Sequence, residues 1–147
     1  MDETYAGGTY SELPTAEFAF PGPLPDLLVG AILDGRKVST TGLVIEYENE
    51  QEPLPQPGKL SVVIDSSHRP VAVIETTSML VVPLCRVDLA HALDEGEGYT
   101  TVAEWRAAHE TFWHGDEMRA ALGDPSFSVT DNTLVVLERF RLVTSLP

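Results

Sequence analysis

From position 24 the apolar residues recur with helical spacing. Leu24, Leu27, Leu28, Ala31 and Ile32 fall at i, i+3, i+4, i+7 and i+8, one stripe of an amphipathic helix. Pro25 suits its first turn, and Gly35 suits the left-handed residue just past its end. The period then changes. A strand is expected over 40–47, a second over 60–64, and the longest β-like run over 71–82. Alternation along that run places Val71, Val73, Glu75, Thr77, Met79 and Val81 on one face. Between the first two strands, Glu46, Glu48, Glu50 and Glu52 alternate and run into Pro53, Pro55, Pro57 and Gly58. That combination reads as a solvated, proline-stiffened loop, and 65–70 reads as a turn.

Residues 87–93 fit a short helix closed by Glu95-Gly-Glu-Gly98. Thr101 and Glu104 have capping-box spacing. Val102, Trp105, His109, Phe112 and Trp113 then trace the buried stripe of a second long helix that is expected to run to about Leu122. Gly123, Asp124 and Pro125 lead to a last strand over 133–143, with Leu134, Val136, Glu138, Phe140 and Leu142 on one face. Short strands, two main helices and one long terminal strand give an α+β fold with a small barrel-like sheet. The βαβ alternations are too few for a doubly wound fold. Residues 1–23 lack periodicity and carry Gly7, Gly8, Pro14, Pro21 and Pro23. They read as a flexible acidic arm, leaving 24–147 as a single domain.

Composition narrows the function classes. A chain of 147 residues with 43% hydrophobic content buries a real core in one domain. No run of about 18 apolar residues is present, so no membrane span is expected. Asp2, Glu3, Glu12 and Glu17 precede the first base, Arg36, the wrong sign for a signal peptide; a cytoplasmic location is the expectation. The one cysteine, Cys85, follows Pro83 and Leu84 and is expected as a small core residue. Nine bases face 23 acids, a net charge of −14. Long duplex DNA needs clustered bases to release its counterions and is disfavoured. A nucleoside, a nucleotide or a short single strand remains, as does a divalent metal offsetting the field.

Candidate chemistry centres on Lys37, one of two lysines, the other being Lys59. It stands between Gly35 and three hydroxyl residues, Ser39, Thr40 and Thr41. An amine beside a hydroxyl is a minimal base-plus-nucleophile pair; as a charged donor the same lysine would hold a phosphate or carbonyl oxygen; a capped, solvated turn is the plain alternative. Glu75 interrupts an apolar face and needs a partner there, or it holds its proton. Glu138 does the same in the last strand, with Arg139 or Arg141 as candidate partners. His109, on the stripe with Trp105 and Trp113, reads as a core histidine. His109 and His114 are five apart, off the spacing that puts two ligands on one helix face. Glu95 and Glu97, beside glycines, suit either a hard divalent ion or a solvated turn.

The order of these motifs resembles the activating-signal-cointegrator homology (ASCH) domain family. The resemblance rests on Leu33-Asp-Gly-Arg-Lys37 with Thr40, Thr41 and Gly42; on Pro57-Gly58 before a strand; on Pro70-Val-Ala-Val-Ile-Glu75; on Glu95-Gly-Glu-Gly98 followed by Trp105, His109, Phe112 and Trp113; and on Glu138-Arg139-Phe140. It spans roughly residues 24–143. It implies a small PUA-like β-barrel with two main flanking helices and a cleft beside the turn at Lys37. It also implies RNA or nucleoside-like ligands, as a bound partner or a hydrolysed substrate, with a non-catalytic regulatory module as the alternative. One bacterial group of the family removes the acetyl group of 4-acetylcytidine with a lysine base, a threonine nucleophile and a glutamate acid. Their pattern maps onto Lys37, Thr40 and Glu75. Another member is described as a ribonuclease acting on single strands with a metal, which would bring in manganese or magnesium. Arg36, Ser39, Thr41, Glu97, Thr101, Trp105 and His109 are the expected substrate-binding residues. The deacetylating group carries an arginine two positions after the threonine, where this chain has Gly42.

Overall fold

A computed structural model describes residues 4–5, 8–10, 13–16 and 23–146. β1 (Thr4–Tyr5) and β2 (Gly8–Thr9) form a small antiparallel ribbon. A second sheet has the order β3 (Thr15–Ala16), β5 (Leu60–Ile64), β6 (Pro70–Pro83), β7 (Leu134–Ser145), β4 (Ser39–Leu43). β3 runs parallel to β5, and all other pairs are antiparallel. The architecture is α+β, as expected, but the sheet is open: among the described residues β3 and β4 stand at opposite edges and do not pair. β3 ties part of the N-terminal region to the sheet; most of the arm expected over 1–23 lies outside the described residues.

Apolar clusters pack against the sheet in three places. α1 (Pro23–Leu33) sets Leu28, Val29 and Ile32 on Val63, Ala72, Ile74 and Phe140. On the other face of β5 and β6, Val62, Ile64 and Val73 meet Tyr10. A third cluster joins α3 (Leu89–Asp94), α4 (Val102–Trp113) and α5 (Asp116–Leu122) to Leu43, Leu84 and Val135, with Trp105 and Trp113 at its centre.

Several boundaries differ from the sequence reading. The strand expected over 40–47 stops at Leu43, and α2 (Val44–Glu50) follows directly. The alternating glutamates disguise this helix, because acids at every second position imitate the period of a strand over seven residues. Glu46 caps it by accepting the Leu43 N–H at 3.2 Å. The second long helix breaks at His114 and Gly115 into α4 and α5. His114 accepts the Val129 N–H at 3.0 Å through Nε2, which fastens the loop after α5 to the break. Cys85 is exposed rather than in the core, because it sits on a short 3-10 turn (Leu84–Arg86) that buries Leu84 instead. In β6 the alternation breaks at Thr77, an extra residue between Thr76 and Ser78 that exchanges the faces beyond it. Ala72, Val73 and Ile74 are all buried because both faces of β6 are covered there, Ala72 and Ile74 by α1 and Val73 by Tyr10.

Candidate functional site

The site is built where the end of α1 meets the loop after α3. Gly35 adopts φ 83°, and the N–H groups of Arg36 and Lys37 both reach back to the Ala31 carbonyl at 2.9 and 3.0 Å. This cap satisfies the open carbonyls of the helix end and turns the chain into β4. The Val38 N–H then bonds the Asp94 carbonyl at 2.8 Å, pinning the turn to α3. Gly96 closes the contact. With φ 69°, a Cβ there would lie 2.4 Å from the Arg36 carbonyl oxygen and 2.7 Å from the Lys37 nitrogen. Only glycine fits, and its close approach places Glu95 and Glu97 on either side of Lys37.

Lys37 is buried at 2% exposure. Its Nζ donates to the Ser39 carbonyl at 2.9 Å, to the Glu95 carbonyl at 3.3 Å and to Glu97 Oε2 at 3.3 Å, and lies 3.8 Å from Glu95 Oε1. An ammonium has three N–H groups, so its donors are all directed at acceptors. This is the geometry of a fixed cation.

Glu95 is the hub. Its Oε2 accepts from the Thr41 hydroxyl at 2.6 Å and from Trp105 Nε1 at 2.8 Å, and faces His91 Nε2 at 3.3 Å. Its Oε1 faces His109 Nε2 at 3.2 Å. Burial alone would raise this carboxyl. The bonds from His109 and His91, and the charges of His109 and Lys37, outweigh it and hold Glu95 well below the usual carboxylate range. Burial likewise pulls His109 down, but the bond and charge of Glu95 raise it on balance. Its Nδ1 sits 2.8 Å from the Trp105 carbonyl, so both ring nitrogens face acceptors, which suits the protonated ring. The ring also stacks on Trp105 with centroids 4.2 Å apart, adding a cation–π contact. Glu97 is raised by burial, partly offset by Lys37 and reinforced by Glu95.

A cleft of about 710 Å³ opens beside this cluster, with Lys37, Glu95, Glu97 and His109 at one end and Thr40, Thr41 and Glu138 along β4 and β7. Tyr47, Tyr99 and Phe112 bring aromatic surface to it. Gly42 leaves room for Tyr47: a Cβ at position 42 would lie 3.3 Å from its ring. At the position where the deacetylating group has arginine, this chain therefore packs an aromatic ring. Burial, with Glu138, Glu46, Glu52 and Glu50 nearby, drives the Tyr47 phenol above its ordinary range, and burial with Glu97 and Glu95 pushes Tyr99 up to about 12. Both rings are neutral donors at any ordinary pH.

The expected site residues separate into two groups. Lys37, Thr40, Thr41, Glu97 and His109 line the cleft together. Glu75 does not: its carboxylate pairs with Arg141 at 2.7 Å and is not among the lining residues. The carboxylate that meets Lys37 is Glu95. Arg36 is exposed and pairs with Asp34 at 2.9 Å. Ser39 is buried and bonds the His91 carbonyl. Thr101 caps α4 by accepting the Glu104 N–H at 3.0 Å, and Trp105 is a fully buried core residue that reaches the site through its indole N–H. Sequence reasoning assigned no role to His91, Tyr47 or Lys59. His91 and Glu95 at i, i+4 were the one available signal. Among the described residues no group of three or more His, Cys, Asp or Glu is arranged to hold a metal ion. Glu95 and Glu97, the acids that would bind one, are turned onto Lys37, so they do not fit the manganese or magnesium that the resemblance brings in.

The model of the family described as the ASCH domain matches residues 17–144. The chain belongs to the ASCH domain family. Solved structures similar to this ASCH domain include two that cover most of the chain. The ASCH domain from Lactobacillus crispatus JV V101 is 29% identical with a TM-score of 0.77, covering 91% of this chain and 81% of that one. A protein from Enterococcus faecalis V583 is 25% identical with a TM-score of 0.78, covering 90% and 77%. No curated protein matches the sequence of this chain. Among its described residues no helix is long and apolar enough to cross a membrane.

Proposed function

We propose that this ASCH domain binds a nucleoside, free or as a unit of single-stranded RNA, in the cleft beside Lys37. RNA binding is general for ASCH domains, and one observation carries the reading to this cleft. Its buried end holds fixed polar groups of both signs, Lys37, Glu95 and His109, with Tyr47, Tyr99 and Phe112 alongside. Convergent polar groups in a concave site, with aromatic side chains beside them, fix the orientation of a small ligand. Aromatic faces stack bases without regard to sequence. Lys37 acts here as a positioning cation rather than a base, because its N–H groups are all directed at acceptors.

Hydrolysis is the second reading, favoured by Thr41. Its hydroxyl lies 2.6 Å from Glu95 Oε2 and 2.7 Å from His91 Nε2, the setting of an activated hydroxyl. Titration of the domain with nucleosides and a labelled single-stranded RNA tests binding, and product analysis with 4-acetylcytidine and the same RNA, with and without manganese, tests turnover. Saturable binding that Lys37→Ala abolishes, without product, fits a reader. Product lost in Thr41→Val or Thr40→Val fits a hydrolase. No binding and no product would refute the cleft as a nucleoside site.

A further inference from the structure

Glu138 is left without a cation. It lies on β7 between Thr40 of β4 and Met79 of β6, lines the cleft, and accepts the Thr76 hydroxyl on Oε2 at 2.6 Å. The bases expected to neutralise it are committed elsewhere: Arg139 to Asp94 and Arg141 to Glu75. Lys37 is held by Glu95 and Glu97. Among the described residues no ion pair reaches Glu138. A half-buried carboxylate in a ligand cleft is costly unless N–H or O–H donors are supplied to it. After the Thr76 bond, Oε2 keeps one lone pair and Oε1 keeps both.

We infer that Glu138 reads the ligand through its N–H groups, and that the cleft prefers a guanine-type edge on an unphosphorylated nucleoside. The inference rests on the nucleoside reading above and narrows it. A carboxylate is matched by two adjacent, parallel N–H donors, as in its bidentate pairing with arginine. Guanine presents a ring N–H beside an exocyclic amino group. Cytosine and adenine place a ring acceptor beside their amino group, and uracil flanks its ring N–H with two carbonyls, so each would set a lone pair against Glu138. Phosphate is disfavoured for the same electrostatic reason. Glu46, Glu50 and Glu52 line the cleft too, and Lys59 is the one lining base not placed against Glu95 and Glu97.

Calorimetric titration of the full chain with guanosine, inosine, cytidine and guanosine 5′-monophosphate tests this. Inosine lacks only the exocyclic amino group. Wild type should bind guanosine about tenfold or more tightly than inosine or cytidine, the usual scale of a hydrogen bond to a charged group, and more tightly than the monophosphate. Glu138→Gln, which keeps the shape and an acceptor for Thr76, should erase the preference for guanosine and narrow the gap to the monophosphate. Glu138→Asp, one methylene shorter but still charged, should fall between. Equal melting temperatures establish that both variants are folded. Equal affinity of wild type for guanosine and inosine, or an unchanged preference in Glu138→Gln, overturns the inference while leaving the nucleoside site standing. If wild type binds none of the four, the site reading fails and the inference fails with it.

Discussion

Replacing Glu95 with glutamine removes one charge from the hub while keeping its shape. If the amide oxygen takes the place of Oε2, it still accepts from Thr41 and Trp105, at present 2.6 and 2.8 Å away. The amide nitrogen then takes the place of Oε1, facing His109 Nε2 at 3.2 Å and Lys37 Nζ at 3.8 Å. A protonated His109 would meet a donor there. A neutral ring with its proton on Nδ1, donating to the Trp105 carbonyl, would meet it as an acceptor. His109 should therefore lose its proton at neutral pH. Lys37 keeps Glu97 as a counter-ion, which limits the damage. Breaking a buried ion pair costs about 3–5 kcal/mol, and the surviving partner puts this change near the lower end, about 3 kcal/mol. For a chain of this size that corresponds to a fall in Tm of roughly 6–12 °C. NMR titration of the His109 ring and a thermal melt measure the two effects. In wild type the ring should titrate above the ordinary histidine value of about 6.5, and in Glu95→Gln at or below it. An unshifted His109, or a loss under about 1 kcal/mol, would refute the hub as the organiser of the site.

Three further outcomes follow from the same geometry. Gly96→Ala must drive a methyl group into the Arg36–Lys37 backbone, 2.4 Å from a carbonyl oxygen, in a left-handed conformation; a loss of about 2 kcal/mol or more is expected, with weaker nucleoside binding, and a melt within a degree of wild type would contradict the packing. Glu75→Gln removes a surface pair with Arg141, costing at most about 1 kcal/mol, and should leave nucleoside titrations unchanged, in contrast to Lys37→Ala. Stability should depend on pH through His109: its folded pKa is raised, so its contribution is complete below about 6.5 and is lost as the pH rises through the folded value, whereas the depressed Glu95 contributes above its ordinary range and loses that contribution on acidification. Melts across pH 4–9 should show the alkaline decline in wild type and a flatter limb in His109→Gln; an identical limb in both would remove His109 as the cause.

Local pattern and tertiary packing divided the work. Repeated spacing is a local property, so α1, the long β6, the α4 stripe and β7 could be read from Leu24 to Leu142 without knowing what they pack against. So could the caps at Gly35 and Thr101, since a left-handed turn or a hydroxyl before a helix is chemistry confined to four or five residues. The sequence also placed Lys37 at a turn beside hydroxyl groups, and Glu97 and His109 among the candidates. It erred where a long-range contact decides. Glu75 looked like the odd acid on an apolar face, but the extra residue at Thr77 breaks the alternation beyond it, and Arg141 of the neighbouring strand takes its carboxylate. Glu95 looked like part of a glycine-loosened loop. Its role follows from Gly96 packing against the backbone at Arg36, a contact between chain segments some sixty residues apart that no period announces. Glu138 was visible as an acid in an apolar row, yet only the ion pairs of the folded chain show that Arg139 and Arg141 both turn elsewhere. Spacing determines which face a side chain is on; which charge meets it there is set by the fold, because an ion pair is made in three dimensions.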